Sequence, residues 1–233
     1  MKYTTKNISE GISLIKNNKL FQNIEESCIQ QMILCSQAVK KKYSHGALIC
    51  NQGEKPETIF VLLCGRVAIV RNLSSGKKNI LYEVEENTIF GEHYFFGNYN
   101  KYWYDIEAIT DVEVLQIPWQ FFYCFCNDAC THHAQLIKNM LEILSEKEWL
   151  AIKKLDVVNH SSLQEKIFTW LLDNMDDYGV VRLKMKREEM ASFFGVARPS
   201  LSRTLMRLQE EGLIEVEKHK IKVVDREKME NLL

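Results

Sequence analysis

The chain has 233 residues, of which 46% are hydrophobic and 26% charged, and its net charge is −1. This is the composition of an ordinary globular protein with one large or two modest domains. A net charge near zero excludes a global attraction to nucleic acid or to an anionic membrane, so any such attraction requires a local basic patch. No stretch approaches the roughly 18 apolar residues of a membrane span, and the N-terminal stretch lacks the apolar core of a signal peptide.

The first part of the chain is predicted to be helical and then rich in strands. Residues 1–42 are expected to form short helices, with Ile29, Met32 and Ile33 at helical spacing. Residues 43–118 then hold short β-branched and aromatic runs separated by glycine- and asparagine-containing turns. Such closely spaced strands predict an all-β sandwich or a barrel-like roll. The runs are ALIC, TIFVLL, RVAIV, NILYEV, WYDIEAI and VEVLQI.

A long helix without glycine or proline is predicted from Asp128 to about Val158, after a short helix at 119–126. Its apolar residues recur every seven positions in two neighbouring stripes. This pattern favours a helix that packs along its whole length against a second copy of itself. Burial against its own sheet is the alternative. The stripes are Leu136, Ile143, Leu150, Val157 and Ile137, Leu144, Ala151, Val158.

A helix-turn-helix pattern follows in residues 187–225. Gly195 stands where a tight turn between two helices requires positive φ, and Pro199 stands in the first turn of the next helix. Leu201, Leu205 and Leu208 in that helix predict a buried face. The opposite face presents Ser200, Arg203 and Arg207, and arginine can bond guanine O6 and N7 together in the major groove.

A basic β-hairpin is predicted after this helix. The stretch LIEVEKHKIKVV contains two short alternating runs around Lys218, His219 and Lys220, and therefore predicts a wing. Residues 182–222 hold ten Lys or Arg against six Asp or Glu, a local net charge of +4. The wing, the basic region and the preceding long helix favour DNA binding over the alternative of a helical bundle end with a solvated face.

Several motifs together resemble the family of the cyclic-AMP receptor protein and the fumarate–nitrate regulator, the CRP/FNR transcription factors. GALICNQGEKPETIFVLLCGRVAIV is similar to the family's roll, IFGE to its phosphate-binding turn, and VARPSLSRTLMRL to its recognition helix. The resemblance implies an α+β protein with an N-terminal antiparallel β-roll of the cyclic-nucleotide-binding, double-stranded β-helix type at 1–127. A dimerisation helix at 128–158 and a winged helix-turn-helix at 159–233 would follow.

The implied function is that of a cytoplasmic, non-enzymatic regulator without a membrane partner. It would be a homodimer that reads a pseudo-palindromic site in double-stranded DNA and contacts RNA polymerase. A cyclic-nucleotide-binding module attached to an enzyme is an alternative, although no catalytic motif is visible. The expected DNA-binding residues are Arg198, Pro199, Ser200, Ser202, Arg203, Arg207, Lys218 and Lys220.

Three departures from the family pattern matter. The Arg-Ser pair that follows the Gly-Glu turn in cyclic-AMP-binding members is replaced near Tyr102-Trp103, and no arginine lies between Arg71 and Arg182. A buried phosphate without a cationic partner is costly, so cyclic AMP is not expected to be the effector. Pro199 stands where many members have a glutamate that reads cytosine. The early cysteines do not have iron–sulfur spacing.

The aromatic stretch 91–105 is the candidate effector site. Seven of its fifteen residues are aromatic, which would suit an uncharged planar ligand. Alternatively, these side chains fill the core, or His93 is an axial ligand of heme. A small-molecule effector is expected, and its identity is open. The candidate residues are Gly91, Glu92, His93, Tyr94, Tyr102, Trp103, Tyr104 and Met140.

A second cluster of soft ligands occupies residues 124–133. Cys124, Cys126, Cys130 and His133 could hold a metal or sense oxidation. Their spacing matches no zinc or iron–sulfur signature, and the seven scattered cysteines of the chain favour free thiols. A structural role is therefore the main expectation, with a heme, metal or redox sensor on the same scaffold as the alternative.

Overall fold

The protein is described here from a computed structural model, which describes residues 15–73, 76, 78–97, 99–123, 131–183 and 185–233. The chain divides into two compact units, Met1–Ser145 and Glu146–Leu233. The predicted boundary at 127/128 lies outside the described residues. The long helix is described from Thr131 to Asn159 and ends one residue beyond the predicted Val158. No helix within the described residues is long and apolar enough to cross a bilayer.

The first unit is a roll of strands with helices on one side. The roll is as predicted, but its first strand, Val39–Tyr43, begins within residues 1–42, which were expected to form short helices. Two 3₁₀ turns, Lys19–Phe21 and Trp119–Phe122, flank the roll. The second turn stands where the short helix was predicted, and that predicted segment continues into residues that are not described. The elements are α1 Glu26–Cys35, β1 Val39–Tyr43, β2 Leu48–Cys50, β3 Thr58–Cys64, β4 Val67–Asn72, β5 Lys78–Val84, β6 Ile89–Phe90, α2 His93–Phe96, β7 Asp105–Ala108 and β8 Val112–Pro118. Helix α3, Thr131–Asn159, begins in this unit and ends in the second.

The strands form two antiparallel sheets, in the orders β1-β8-β3-β6 and β2-β7-β4-β5. Both faces of strand β3 are buried. Successive side chains of a strand point to opposite sides of the sheet, and on β3 the two sets pack in two different cores. Phe60 and Leu62 pack with Val67 and Ile69 of β4 in the core between the sheets. The intervening Ile59, Val61 and Leu63 pack on the outside, against the helices.

The long helix α3 divides its apolar residues between two environments. Leu136, Met140 and Ile143 are buried with α1 in the outer core. Leu141 and Leu155 are 59% and 57% exposed. Leu136 and Ile143 of the first predicted stripe therefore pack on the chain's own roll, which is the alternative that the sequence left open for this helix. Part of the opposite face is open to solvent.

The second unit contains helices around a three-stranded sheet, in which β11 (Lys220–Val223) lies between β10 (Ile214–Val216) and β9 (Val180–Arg182). The side chain of Ser162 and that of Glu165 cap the first helix reciprocally, which fixes where it begins. The predicted terminal β pair is present, but the third strand, β9, and the last helix were not predicted. The elements are α4 Leu163–Asn174, β9 Val180–Arg182, α5 Arg187–Phe194, α6 Arg198–Glu210, β10 Ile214–Val216, β11 Lys220–Val223 and α7 Arg226–Asn231.

Candidate nucleic-acid interface and ligand cavity

Helices α5 and α6 form a helix-turn-helix. Helix α5 ends at Phe194, and Gly195 adopts φ 69°, the left-handed conformation that the turn requires. Pro199 lies in the first turn of α6. Leu201, Leu205 and Leu208 are buried in the core of this unit, so the opposite face of α6 is presented to solvent.

The N-terminal half of the exposed face carries the predicted arginines. Arg198 forms an ion pair with Glu188 of α5, with Nη1 and Oε1 2.5 Å apart. Arg203 is exposed, and its Nε donates to the carbonyl oxygen of Pro199 at 3.4 Å, while its Nη2 lies 3.5 Å from Ser200 Oγ. Ser200 and Ser202 are half-buried beside it. Arg203 is thus held along the helix surface by weak contacts that a base edge can replace.

Two further residues on α6, Arg207 and Met206, differ in how available their side chains are for contact with DNA. The Nη2 of Arg207 donates to Gln164 Oε1 of α4 at 2.7 Å, and its Nη1 lies 3.7 Å from Glu211. Arg207 is therefore turned toward α4. Met206 is 61% exposed, and it was not among the predicted residues. Its position four residues after Ser202 on a recognition helix was the available signal, since apolar side chains contact the thymine methyl group.

The hairpin of β10 and β11 forms the predicted wing. Lys218 and Lys220 are both exposed, and Lys220 Nζ lies 3.1 Å from Glu217. The backbone N–H of Leu183 donates to the carbonyl oxygen of His219 at 2.9 Å, which ties the wing tip to the segment after β9. The wing therefore offers lysines on a braced loop, suited to phosphate contacts.

The aromatic stretch forms a cavity of about 700 Å³ in the roll. It lies between β5 and the segment that follows α2. Four of the predicted effector residues line it: His93, Tyr94, Trp103 and Tyr104. The other lining residues are Leu81, Tyr82, Tyr99, Asn100 and Lys101.

Tyr94 is the centre of the aromatic packing. Its ring centroid lies 4.9 Å from that of Tyr102, 5.5 Å from that of Tyr104 and 4.4 Å from that of His93. Tyr94 Oη accepts from the backbone N–H of Trp103 at 2.8 Å, and Tyr104 Oη lies 3.1 Å from His93 Nε2. Burial raises the pKa of Tyr102 and of Tyr104 well above 10. These phenols therefore remain neutral near pH 7.

The remaining predicted effector residues lie away from the cavity wall. Tyr102 is part of the core between the sheets. Gly91 and Glu92 are buried in the turn before α2. Met140 was predicted for the effector site, but it is buried in the outer core with α1, because its stripe of α3 packs on the roll's outer face. The aromatics thus divide between filled core and cavity wall.

Arg71 at the end of β4 was missed. Its guanidinium carbon lies 4.0 Å from the ring centroid of Trp103, a cation–π contact. Arg71 also affects the Tyr94 phenol. Burial raises the pKa of that phenol, and the positive charge of the Arg71 guanidinium partly offsets the rise. Strand alternation was the available signal, because a regular strand would place Val67, Ile69 and Arg71 on one face. The pairing of β4 with β5 shifts register between Ile69 and Val70.

The candidate metal cluster lies mostly outside the described residues. Cys124, Cys126 and Cys130 are not described. His133 is buried, and its Nε2 lies 2.6 Å from the carbonyl oxygen of Phe121. His132 Nε2 lies 3.0 Å from Cys28 Sγ. Within the described part of the chain, no group of three or more His, Cys, Asp or Glu side chains could hold a metal ion.

A β-roll with a ligand-sized cavity and a winged helix-turn-helix with exposed arginines define a DNA-binding regulator that has an effector-binding domain. Comparison with known proteins agrees with this class. Residues 40–129 match the model of the cyclic nucleotide-binding domain, and residues 165–232 match that of the Crp-like helix-turn-helix domain. The chain belongs to the CRP/FNR family of transcription regulators.

The individual relatives have low sequence identity to this chain. The chain is 24% identical to the global nitrogen regulator of Synechococcus elongatus, over 78% of this chain and 84% of that protein. It is 26% identical to the cAMP-activated global transcriptional regulator CRP of Pasteurella multocida, over 74% and 84%. The structure of a CooA mutant from Carboxydothermus hydrogenoformans has a TM-score of 0.64 at 18% identity, covering 95% of this chain and 98% of that one. Since the first two relatives bear names that refer to different signals, similarity supports the class and leaves the effector open.

Proposed function

We propose that the protein is a cytoplasmic, non-enzymatic homodimer that binds a pseudo-palindromic promoter site and responds to an effector other than cyclic AMP. The observation that carries this proposal is that α6 exposes arginines on one face and buries leucines on the opposite face. Two such helices related by a two-fold axis would enter major grooves about one helical turn, roughly 34 Å, apart. RNA polymerase is the proposed partner of the DNA-bound form.

Dimer formation is supported by the exposed face of α3. Ile137, Leu141, Leu144, Glu148, Ala151, Leu155 and Val158 are spaced alternately by four and three residues, the spacing of a coiled-coil seam. Leu141 and Leu155 on this seam are well exposed. Large exposed apolar side chains at seam positions favour burial against a second copy of the helix.

The proposal that cyclic AMP is not the effector is supported by the cavity. The segment after the Gly91-Glu92 turn supplies tyrosines and Trp103, and it supplies no arginine to grip a cyclic phosphate there. Lys101, which lines the cavity, offers a point charge in place of a planar fork. A dissociation constant for cyclic AMP below about 10 µM, a free energy near −7 kcal/mol, would contradict this part of the proposal.

DNA recognition is tested by selecting a binding site from random duplexes and measuring affinity by fluorescence anisotropy. Arg203→Ala is expected to weaken binding to the selected site by about 1–3 kcal/mol and to relax preference at one base pair of each half-site. Lys218→Ala is the matched comparison, because loss of a phosphate contact weakens all sequences alike. Unchanged affinity of the Arg203→Ala protein would refute the placement of the recognition helix.

Dimer formation is tested separately by sedimentation velocity. Leu155→Glu places a charge on the seam and is expected to yield monomers. Leu150→Glu is the control, because Leu150 is 64% exposed but lies on the other stripe of α3. Monomers from both variants, or dimers from both, would show that the seam does not hold the dimer.

A further inference from the structure

The exposed face of α6 combines an arginine with apolar side chains. Helix α6 runs from Arg198 to Glu210, and residues three or four positions apart in a helix share one face. Pro199, Ser202, Arg203 and Met206 have this spacing, opposite the buried leucines. Ser202 is half-buried and the other three are exposed. Arg203 therefore has an exposed apolar side chain on either side of it along the helix.

The arginines next to Met206 are engaged elsewhere. Arg203 donates to the carbonyl oxygen of Pro199 and its Nη2 approaches Ser200, so its guanidinium lies toward the beginning of the helix. Arg207 is bound to Gln164 of α4 at 2.7 Å. Met206 is 61% exposed, so its side chain is open to contact from the side on which DNA is proposed to bind.

These two apolar side chains suit one chemical group in the major groove. Single exposed apolar residues are common on protein surfaces, but a stripe that enters a groove loses its contact with water. Proline has no side-chain donor or acceptor, and the methionine sulfur is only a weak acceptor. The C5-methyl group of thymine is the apolar group that base pairs present in the major groove. Pro199 and Met206 therefore match thymine.

The spacing along α6 limits where such thymines can lie. Pro199 and Met206 are seven residues apart in the sequence, which is about 10 Å along a helix axis. Successive bases of a DNA strand are about 3.4 Å apart, so the two side chains span about three base-pair steps. The three rotatable bonds of a methionine side chain allow it to fit the methyl group that it meets.

We propose that Pro199 and Met206 each contact the C5-methyl group of a thymine in the half-site, on either side of the base pair that Arg203 reads. The inference rests on the proposed function and adds specificity-determining contacts to it. Each half-site would contain two thymines, on one strand or on opposite strands, about three base-pair steps apart.

The test removes single methyl groups from the DNA. The full chain is titrated with the duplex selected from random sequences, and affinity is measured by fluorescence anisotropy at fixed salt. Each thymine of one half-site is replaced in turn by deoxyuridine, which lacks only the C5-methyl group. Replacement at two positions is expected to weaken binding about fourfold each, the effect of burying one carbon. Thymines outside the half-sites are the DNA control and should tolerate the replacement.

Protein variants assign each methyl group to a residue. Met206→Ala should lose the sensitivity to deoxyuridine at one position, and Met206→Leu, which keeps an apolar side chain, should retain it. Pro199→Glu should change the preferred base at the other position from thymine to cytosine, because glutamate accepts from the cytosine amino group. Val224→Ala is the matched control, since Val224 is an apolar residue of the same unit, 50% exposed and outside α6.

The outcomes separate this inference from the proposed function. A protein that selects a site and requires Arg203, but binds the thymine and deoxyuridine duplexes equally, overturns the inference alone. The inference also fails if Met206→Ala keeps the full sensitivity, if Val224→Ala loses it, or if Pro199→Glu still prefers thymine. A protein that selects no DNA site refutes the proposed function and the inference with it.

Discussion

The Nη1 atom of Arg198 lies 2.5 Å from Oε1 of Glu188, an ion pair between the two helices of the helix-turn-helix. Both side chains are 60% exposed. The carboxylate therefore holds an arginine that is proposed to contact DNA. If Arg198 contacts DNA as proposed, this pair must separate, or share its arginine, when DNA binds.

Replacing Glu188 with glutamine should therefore tighten DNA binding. Exposed ion pairs contribute about 0.2–1 kcal/mol, so the expected gain in affinity is roughly 1.4- to fivefold. Anisotropy at several salt concentrations provides the measurement. Glu230→Gln is the control, because it removes one negative charge from the same unit, where Glu230 pairs with Arg226 of α7 at 2.7 Å. If both variants gained DNA affinity equally, the change in net charge alone would explain the gain.

Glu148 occupies a seam position between Leu141 and Leu155 on α3. In a parallel dimer the two copies of this carboxylate would face each other, which weakens association. We expect Glu148→Leu to lower the dimer dissociation constant by about tenfold or more. Sedimentation equilibrium measures this constant, and Glu146→Leu, outside the seam, should leave it unchanged. A weaker dimer from Glu148→Leu would disprove the assigned seam.

The thiol of Cys50 should be inert in the folded protein. Cys50 is 6% exposed, and burial raises its pKa to about 12. At pH 8 the thiolate fraction is then about one in ten thousand, and the thiolate is the reactive form. Iodoacetamide followed by peptide mass spectrometry should label the exposed Cys35 at least a hundred times faster. The difference should disappear in denaturant; rapid labelling of Cys50 in the native protein would contradict its placement.

The pairing of Glu113 with lysines of β1 should make stability fall in acid. Hydrogen bonds from Lys40 and Lys42 hold the pKa of Glu113 below its ordinary value of 4.5. A depressed pKa means that the stabilisation is complete above pH 4.5 and is lost as pH falls through the folded-state value. Glu113→Gln should cost about 0.5–1 kcal/mol at pH 7. Urea unfolding should show this difference shrinking below pH 4.5, and a constant difference down to pH 3 would exclude the mechanism.

Much of the second unit follows from local chemistry. Leu201, Leu205 and Leu208 define a buried stripe, and Gly195 has the positive φ that its place between two helices implies. Strand β9 was missed because Val180–Arg182 is only three residues long. Its strand character depends on pairing with β11, about forty positions away in the chain.

The cavity was harder to predict, because two similar sequence signals had different outcomes. Tyr102 and Tyr104 are neighbours of similar burial, yet Tyr102 belongs to the filled core alone while Tyr104 also lines the cavity. Aromatic content therefore predicted the region of the cavity, but it did not show which aromatic residues line the cavity and which fill the core. Arg71 was recoverable from strand alternation, but its stacking on Trp103 joins residues 32 positions apart, and no spacing rule connects them.

Strand β3, with apolar neighbours on both faces, has a consequence for how the gene can vary. From Ile59 to Leu63 every side chain is buried, so a polar replacement at any of these five positions lacks a solvent-facing side to point toward. A library of random variants selected for folding should lose polar codons throughout this segment. Strand β5, most of which is exposed, should accept them, so the two strands of one roll would differ in their tolerance to mutation.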